Sequence, residues 1–292
     1  MPKTMNNNTE RPQLKVRNVH FNFTNVRKHW MQNSALGTHF VNSMHIVFPE
    51  GEKFFIRSVR HFAKNIKDEK LKKDINLFCG QEGIHSREHE RFWEIMENQG
   101  LKPDRFAKFM YETAFGKYGL EKTVIKTLNK VKPRLGEKLC LSVTTAAEHF
   151  TALFAHGAFS EKNLTAKDTD ENMKELMQWH AAEEIEHKAV CFDALKEIDD
   201  SYALRIGGML LTTPLLFGYI GIGQLYFWLT DNDAKVKDLP KEMVQFIENT
   251  VFGSMGTQLS KHYFEYYKKD FHPNDIEDYY LIEKFFENKS YA

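Results

Sequence analysis

The chain has few cysteines and no excess of charge of either sign. Three cysteines, Cys79, Cys140 and Cys191, lie far apart in 292 residues. Their number and spacing fit neither a zinc site nor a disulfide framework, which favours a reducing cytosol. Basic and acidic residues number 40 each, so the formal net charge is zero. Without a basic excess or a long basic block, nucleic-acid binding is not predicted.

Other familiar segments are missing as well. Residues 1–10 are polar and rich in asparagine, so no cleaved secretion signal is predicted. No glycine-rich phosphate loop is visible. Hydrophobic residues still make up 42% of the chain and aromatic residues 13%, which is enough to bury a sizeable core. These features together predict a cytoplasmic globular protein.

Most of the chain up to about residue 200 has the apolar spacing of α-helices. Pro49 suits the first turn of a helix, because its missing N–H costs nothing there. The polar link SEKNLTAKD is short, so the helix after it is expected to return antiparallel. The predicted helices cover residues 34–47, 49–66, 68–98, 103–131 (as one or two helices), 133–159 and 168–198.

Two motifs carry the most functional information: Glu82-Gly-Ile-His85 and Glu184-Ile-Glu-His187. Positions i and i+3 share a helix face, so each pair can bind one metal ion. Two such pairs, with one acidic residue from each of two other helices, form the ligand set of a two-metal carboxylate site in a four-helix bundle. Buried salt bridges between helices are the alternative interpretation.

Glu52 and Glu148 are the candidates for the two further acids. Glu148 shares a helix face with Leu141, whereas its neighbour His149 does not. Glu52 competes with Glu50 but lines up with the apolar residues that follow it. Glu50 is interpreted as a charge favoured by the helix dipole.

Several neighbours of the motifs need an interpretation of their own. His180 lies one turn before the second motif, and three roles stay open for it: a third imidazole ligand, a residue that holds a ligand in place, or a core histidine. His89, one turn beyond the first motif, is interpreted as holding a carboxylate in place. Glu183 and Glu186 fall off the apolar stripe and are predicted to be solvated.

A mixed set of carboxylates and imidazoles favours iron, with manganese as the alternative. Zinc prefers fewer ligands, and calcium does not favour imidazole. Glu82 and Glu184 are expected to bridge two metal ions, with His85 and His187 as terminal ligands. The expected cofactor is therefore a pair of iron ions.

Four sequence motifs, FPEGEKFF, QEGIHSREH, TAAEHFTA and WHAAEEIEHKAVCFD, occur in order over roughly residues 40–205. They resemble the family of predicted metal-dependent hydrolases, whose helical core is ferritin-like. The spacing His-x3-Glu-x2-His is also similar to that of the diiron arylamine N-oxygenases, which use an extra histidine on the last ligand helix. By that resemblance, the seven ligands would be Glu52, Glu82, His85, Glu148, His180, Glu184 and His187.

The sequence thus predicts an all-α, ferritin-like four-helix bundle with additional helices. We expect a non-haem diiron enzyme that activates dioxygen and oxidises a small organic substrate. An external donor would supply the electrons. A metal-dependent hydrolase that uses a metal-bridged water is the first alternative. A non-catalytic iron-binding protein is the second.

The segment 206–229 contains no charged residue and is long enough to span a bilayer. Several glycines, Pro214 and Gln224 count against a spanning helix. A helix that contacts the membrane and a buried hairpin over the metal site both stay open. Membrane contact would favour a lipophilic substrate and a location at the inner face of the membrane.

Four parts of the chain follow from these patterns. They are a flexible arm (1–32), the metal-binding bundle (33–200), the apolar segment (201–230) and amphipathic helices that pack on the bundle (231–292). The last part is also the candidate surface for a homodimer.

Overall fold

The computed structural model describes residues 12–160, 168–287, 289 and 291, and every regular element in this part of the chain is helical. This confirms the predicted all-α class. The predicted link at 161–167 and residues 1–11 lie outside the described residues. The α-helices are α1 (Ala35–Phe62), α2 (Glu69–Asn98), α3 (Pro103–Ala114), α4 (Leu120–Leu128), α5 (Leu135–Ser160), α6 (Glu171–His187), α7 (Val190–Ile198), α8 (Tyr202–Thr230), α9 (Leu239–Phe246), α10 (Ser254–Tyr263) and α11 (Tyr279–Glu287). Short turns of other helix types lie at Ala63–Asn65, Ile247–Val251, Glu265–Tyr267 and Pro273–Asp275.

The centre of the molecule is a bundle of two helix pairs. Helix α1 packs on α2, α5 packs on α6, and α1 contacts α5 across the core. Helix α7 follows α6 and packs on α2 and α5, while α8 covers α1 and α5 from outside. The bundle therefore surrounds the faces that carry the two Glu-x-x-His motifs.

Side-chain caps fix where three of the bundle helices begin. The side chains of Ser34, Asp68 and Asp170 accept hydrogen bonds from N–H groups in the first turns of α1, α2 and α6. These N–H groups have no partner within the helix, so each cap stabilises its helix by about 1 kcal/mol. Gly100 follows α2 with a φ of +85°, a conformation that glycine adopts without strain.

The prediction that one helix ends before Pro49 and another begins there is wrong. Helix α1 runs through Pro49 without a break. A proline inside a helix leaves the carbonyl four residues earlier without its usual donor. Here the indole N–H of Trp93 donates to that carbonyl, on His45, at 2.8 Å. A side chain from α2 thus replaces the hydrogen bond that the proline removes.

The predicted single helix over 168–198 is also corrected. It is divided into α6 and α7, with a break at Lys188 and Ala189, directly after His187. The Lys188 side chain is 2% exposed and donates to Asp278 and to the carbonyl of Ile276. The break therefore coincides with a buried contact to the C-terminal segment.

The apolar segment forms one helix, α8, which decides between the helix and the hairpin that the sequence left open. A Cβ at Gly208 would meet Ser142 of α5, and one at Gly223 would meet Ser43 of α1. These two glycines thus allow α8 to approach the bundle closely. The helix is long and apolar enough to cross a membrane by length and composition, and 28% of its most apolar stretch is buried.

The segment before α1 is extended and packs on the bundle over its described part. Phe21, Phe23 and Trp30 are all buried, and Phe21 and Phe23 stack against rings of α6 and α2. These buried side chains therefore dock the described part of the segment on the bundle. Helices α9 to α11 follow α8, and Tyr266 between them is fully buried. The division into four parts stays a prediction.

Candidate metal centre

All seven residues predicted from the sequence meet in the middle of the bundle. Each is at most 4% exposed. Because positions three and four apart share a helix face, α2 and α6 each direct their motif residues inward. The seven are Glu52 from α1, Glu82 and His85 from α2, Glu148 from α5, and His180, Glu184 and His187 from α6.

These residues form two neighbouring groups of potential ligand atoms, with the atoms of each group within 4.8 Å of one another. We name them the first group (Glu52, His85, His180) and the second group (Glu82, Glu148, Glu184, His187).

Two carboxylates lie between the groups. Glu184 Oε1 is 2.8 Å from His180 Nε2, and Glu184 Oε2 is 3.3 Å from His187 Nε2. Glu82 Oε1 is 3.1 Å from His187 Nε2 and 3.9 Å from His85 Nδ1. Both carboxylates therefore have the position of bridging ligands.

The tautomer of His187 follows from its neighbour Gln81. His187 Nδ1 lies 3.1 Å from Gln81 Oε1, while the amide nitrogen of Gln81 donates to Glu186 Oε2 at 2.6 Å. An amide oxygen only accepts, so Nδ1 is the donor. The remaining nitrogen, Nε2, faces the carboxylates of the second group. Burial lowers the pKa of His187, but the charges of Glu148 and Glu184 outweigh it and raise that pKa well above the ordinary value. A cation at this point would take the place of the proton on Nε2.

The same argument applies to His85. Its Nε2 lies 3.0 Å from Glu183 Oε2, which accepts, and its Nδ1 lies 3.5 Å from Glu184 Oε1 in the second group. Glu183 also accepts from Arg17 at 2.9 Å, and Arg17 makes two hydrogen bonds to Glu186. Carboxylates that orient a ligating histidine in this way are typical of metal sites.

The prediction that Glu183 and Glu186 are solvated is wrong. They are 0% and 3% exposed, because the segment before α1 covers this side of α6 and directs Arg17 at both. The two residues are three apart, the same spacing as the ligands. That spacing is the signal from which a second inward face on this helix can be predicted.

A row of imidazoles extends from the first group towards α1. His180 Nδ1 lies 2.9 Å from His89 Nε2, and His89 Nδ1 lies 2.7 Å from His45 Nδ1. His89 thus holds an imidazole, whereas the sequence predicted that it holds a carboxylate. The nearest oxygen of Glu52 is 3.7 Å from His89 Nε2. His45 has no motif spacing that would have indicated this role.

The hydrogen bonds do not account for all of the buried polar atoms. Both oxygens of Glu82, both oxygens of Glu148 and His85 Nδ1 are buried and have no hydrogen-bond partner. A buried polar atom without a partner costs about 1–3 kcal/mol. Five such atoms converge on one place. Glu82 Oε1 and Glu148 Oε2 lie within ion-pair distance of His187 Nε2, at 3.1 and 3.3 Å, but these contacts leave the other oxygen of each carboxylate without a hydrogen-bond partner. The donor set fits bound metal ions.

The electrostatics of the cluster indicate too much negative charge for a metal-free site. Burial and the charges of neighbouring carboxylates raise the pKa of Glu148 to about 8, against the attraction of His187. Burial and the Glu82 charge likewise raise the pKa of Glu52 well above its ordinary value. Burial alone would raise the pKa of Glu184, but the three histidines outweigh it and hold that pKa well below the ordinary value. Metal ions would replace the protons that these shifts imply.

A third group of ligand-type residues lies elsewhere and is already neutralised. His29 and His39 place Nε2 atoms 2.7 and 2.9 Å from Asp231 Oδ2. The ammonium of Lys28 lies 2.6 Å from the other oxygen, Oδ1. The Lys28 ammonium takes the position that a metal ion would need. This group is therefore an ion-pair network that joins the segment before α1 to the end of α8.

The sequence profile of one family, described as predicted metal-dependent hydrolase, matches residues 15–277. The chain belongs to this family. No curated protein and no solved structure matches the chain. The matched range includes all seven residues of the two groups, as well as Arg17 and Gln81. Family membership and the clustered ligand atoms agree that the protein is metal-dependent.

Proposed function

We propose that the seven residues bind two metal ions, iron in preference to manganese, and that the protein oxidises an apolar organic substrate with dioxygen. The observation that carries the proposal is the convergence of four buried carboxylates, some of whose oxygens have no hydrogen-bond partner, with three buried imidazoles. Four carboxylates and three imidazoles suit iron or manganese better than zinc or calcium. When bound, iron would supply the electron transfer to dioxygen that no side chain provides.

The residues of the chain have separate tasks in this proposal. Glu82 and Glu184, which lie between the two groups, would hold both ions, and Glu52 and Glu148 would hold one ion each. The histidines bind through the nitrogen that faces the cluster, while their other nitrogens are held by Glu183, Gln81 and His89. These outer hydrogen bonds fix ring orientation and raise the basicity of the ligands.

Two apolar pockets reach the centre, and both touch Glu184. The front pocket lies between α1, α3, α4, α5 and α8, and contains about 980 Å³ of empty space out to its open mouth. The rear pocket lies between α1, α5, α6 and the turn at Ile247–Val251, and contains about 720 Å³ of empty space measured in the same way. No lysine or arginine lines either pocket among the described residues. These walls therefore favour an apolar substrate. An apolar group can be oxidised but offers no bond to hydrolyse.

Hydrolysis is the second candidate, and the description of the family favours it. Two metal ions held by bridging carboxylates also activate water for attack on a carbonyl or phosphoryl group. This reaction needs no electron donor and no dioxygen. Oxidation requires an external electron donor, which we include in the proposal as a partner.

Metal analysis of protein purified without oxygen tests the proposal. We expect iron at two equivalents per chain, and an absorption band in the near ultraviolet after stopped-flow mixing with oxygen. Glu184→Gln is expected to lose at least one equivalent of iron. Glu171→Gln, at an exposed position on the same helix, is the matched control and should retain both. Absence of iron binding, or equal iron content in the two variants, would contradict the metal site.

The two reactions are separated by their dependence on metal and oxygen. Turnover of an ester with manganese or zinc under argon would favour hydrolysis over the proposed oxidation. Oxygen consumption that requires iron and a reductant would favour oxidation. Iron binding with neither activity would point to the non-catalytic alternative.

A further inference from the structure

The walls of the front pocket are almost entirely hydrocarbon. Side chains such as Phe55, Met110, Val143 and Leu215 line it from four different helices. Its charged residues are Glu52 and Glu184 at the metal end and Glu121 at the other end. A ligand that fills this space must be apolar along its length, because a polar group in the middle would lose its water without gaining a partner.

The outer end of the front pocket offers a place for a polar group. Arg57 Nη2 lies 3.1 Å from Glu121 Oε2, and Arg57 is about half exposed. The guanidinium lies over the rings of Phe54 and Phe115, with centroid distances of 5.9 and 5.4 Å. The outer end of the pocket is thus charged and exposed to solvent, while the inner end is formed by buried carboxylates. An amphiphile with one polar end matches this polarity.

Phe48 closes the inner end of the front pocket. Phe48, Thr151 and Glu184 line both pockets, so the two spaces meet there. The Phe48 ring is fixed edge-on against His89 and His180, with centroid distances of 5.7 and 5.8 Å. A chain that enters from the mouth reaches Glu184 and then meets this ring.

We infer that the front pocket binds an unbranched aliphatic chain, with its polar end at Arg57 and Glu121 and its far end at the metal centre. Phe48 is the stop that limits chain length. The reaction at the far end rests on the proposed function, but the binding of the chain does not. The substrate class that follows is a fatty acid or a fatty alcohol.

Displacement of a fluorescent fatty acid tests this inference. Dansyl-undecanoic acid is bound to the protein, both metal-loaded and metal-free, and is displaced by unbranched acids and alcohols from octanoic to octadecanoic. Each added methylene should tighten binding roughly two- to fourfold until the pocket is full, after which affinity levels off. Failure of all these chains to displace the probe would overturn the inference.

Variants in the two pockets provide a matched comparison. Val143→Phe narrows the front pocket and should weaken binding of dodecanoic acid about tenfold or more, whereas Ala155→Phe narrows only the rear pocket and should leave it unchanged. Thermal melting shows whether both variants are folded. Equal loss in two folded variants would overturn the assignment to the front pocket.

The stop is tested by Phe48→Ala, with Phe48→Leu as a milder second variant. The affinity plateau should move to longer chains, because the front and rear pockets become continuous. An unchanged plateau in a folded variant would contradict this role.

Arg57→Gln separates the two substrate sources. Weaker binding of acids alone indicates a fatty acid, and weaker binding of acids and alcohols alike indicates a fatty alcohol. Unchanged binding of both would overturn the placement of the polar end at Arg57.

These results are independent of the proposed redox chemistry. Chain binding without any metal uptake would overturn the diiron proposal and leave this inference standing. Metal uptake without chain binding would do the opposite.

Discussion

At the scale of single residues, the candidate ligands depend on partners that never touch the cluster. Glu183 accepts from His85 on one side and from Arg17 on the other. Because His85 turns its other nitrogen towards Glu184 and Glu82, the position of Glu183 decides where that nitrogen points. Outer hydrogen bonds of this kind commonly change metal affinity by about 10–100-fold.

Glu183→Gln is therefore expected to weaken iron binding about tenfold without unfolding the protein. The amide keeps the shape of the side chain but removes the charge that strengthens His85 as a ligand. Competition with a chelator measures the change in dissociation constant. An unchanged constant would show that Glu183 does not position a ligand.

The Asp231 network predicts a specific dependence of stability on pH. Burial alone would raise the pKa of Asp231, but hydrogen bonds from His29, His39 and Lys28 lower it well below the ordinary value of 3.8. A carboxylate with a depressed pKa in the folded state stabilises the fold at pH values above its unfolded pKa. That contribution is lost as the pH falls below about 3.8 towards the folded pKa.

Asp231→Asn should accordingly lower the free energy of unfolding by about 2 kcal/mol at pH 7. The difference from the wild-type protein should shrink as the pH is lowered below 4, because Asp231 then takes up a proton in the unfolded wild-type chain while it stays charged in the folded one. Urea unfolding of both proteins at pH 7 and below pH 4 measures this difference in the free energy of unfolding. A difference that is independent of pH would indicate that packing, rather than charge, is lost.

At the scale of elements, α8 has two faces with different roles. One face carries Gly208 and Gly223 against α5 and α1, and lines the front pocket with Leu215. The opposite face leaves large apolar side chains in contact with solvent. Among them are Leu210, Phe217, Ile222, Leu225 and Leu229, which are 39–66% exposed.

We predict that this outer face of α8 lies on a lipid bilayer. Its inner face is packed on the bundle, so the helix would lie along the membrane surface instead of crossing it. Flotation with vesicles of phosphatidylcholine and phosphatidylglycerol should recover the wild-type protein. The double variant Leu210→Glu, Leu225→Glu should remain at the bottom of the gradient, while Asn232→Glu, at an exposed polar position, floats like the wild type. If the double variant also floats, α8 is not the membrane contact.

The helical elements and the ligand set were predictable because both depend on local spacing. Residues three and four apart in sequence must share a helix face, so Glu82, His85, Glu184 and His187 converge once the bundle forms. What the sequence did not reveal depends on contacts between distant residues. Trp93 compensates for Pro49 across 44 residues, and Arg17 buries Glu186 across 169. Neither contact leaves a periodic pattern, so the sequence predicts two helices in place of α1 and a solvated Glu186.

At the scale of the whole molecule, the residues that would bind metal also destabilise the metal-free protein. They come from all four helices of the bundle, and without a cation their buried oxygens oppose folding. A ligand that binds only the folded state stabilises it by about 4 kcal/mol at a concentration 1,000-fold above its dissociation constant. The metal-loaded protein should therefore resist unfolding far better than the metal-free one.

Removal of the metal with a chelator is expected to lower the melting temperature by roughly 8 °C or more, since each kcal/mol shifts a large domain by about 2 °C. Glu148→Gln should show a smaller shift, because one ligand is lost. Its metal-free form should melt at the wild-type temperature or above, because a crowded buried carboxylate has been removed. Calorimetry with and without chelator measures both. Identical shifts in the two proteins would argue against Glu148 as a ligand.

The contact between Arg17 and the pair Glu183 and Glu186 also sets an order of events during synthesis. The start of the chain leaves the ribosome long before α6 does, yet it completes its own packing only on that later helix. A nascent chain therefore exposes the ligand face of α2 until α6 has been made. Loading with metal is then a late step, because the full ligand set exists only after α6 has been made.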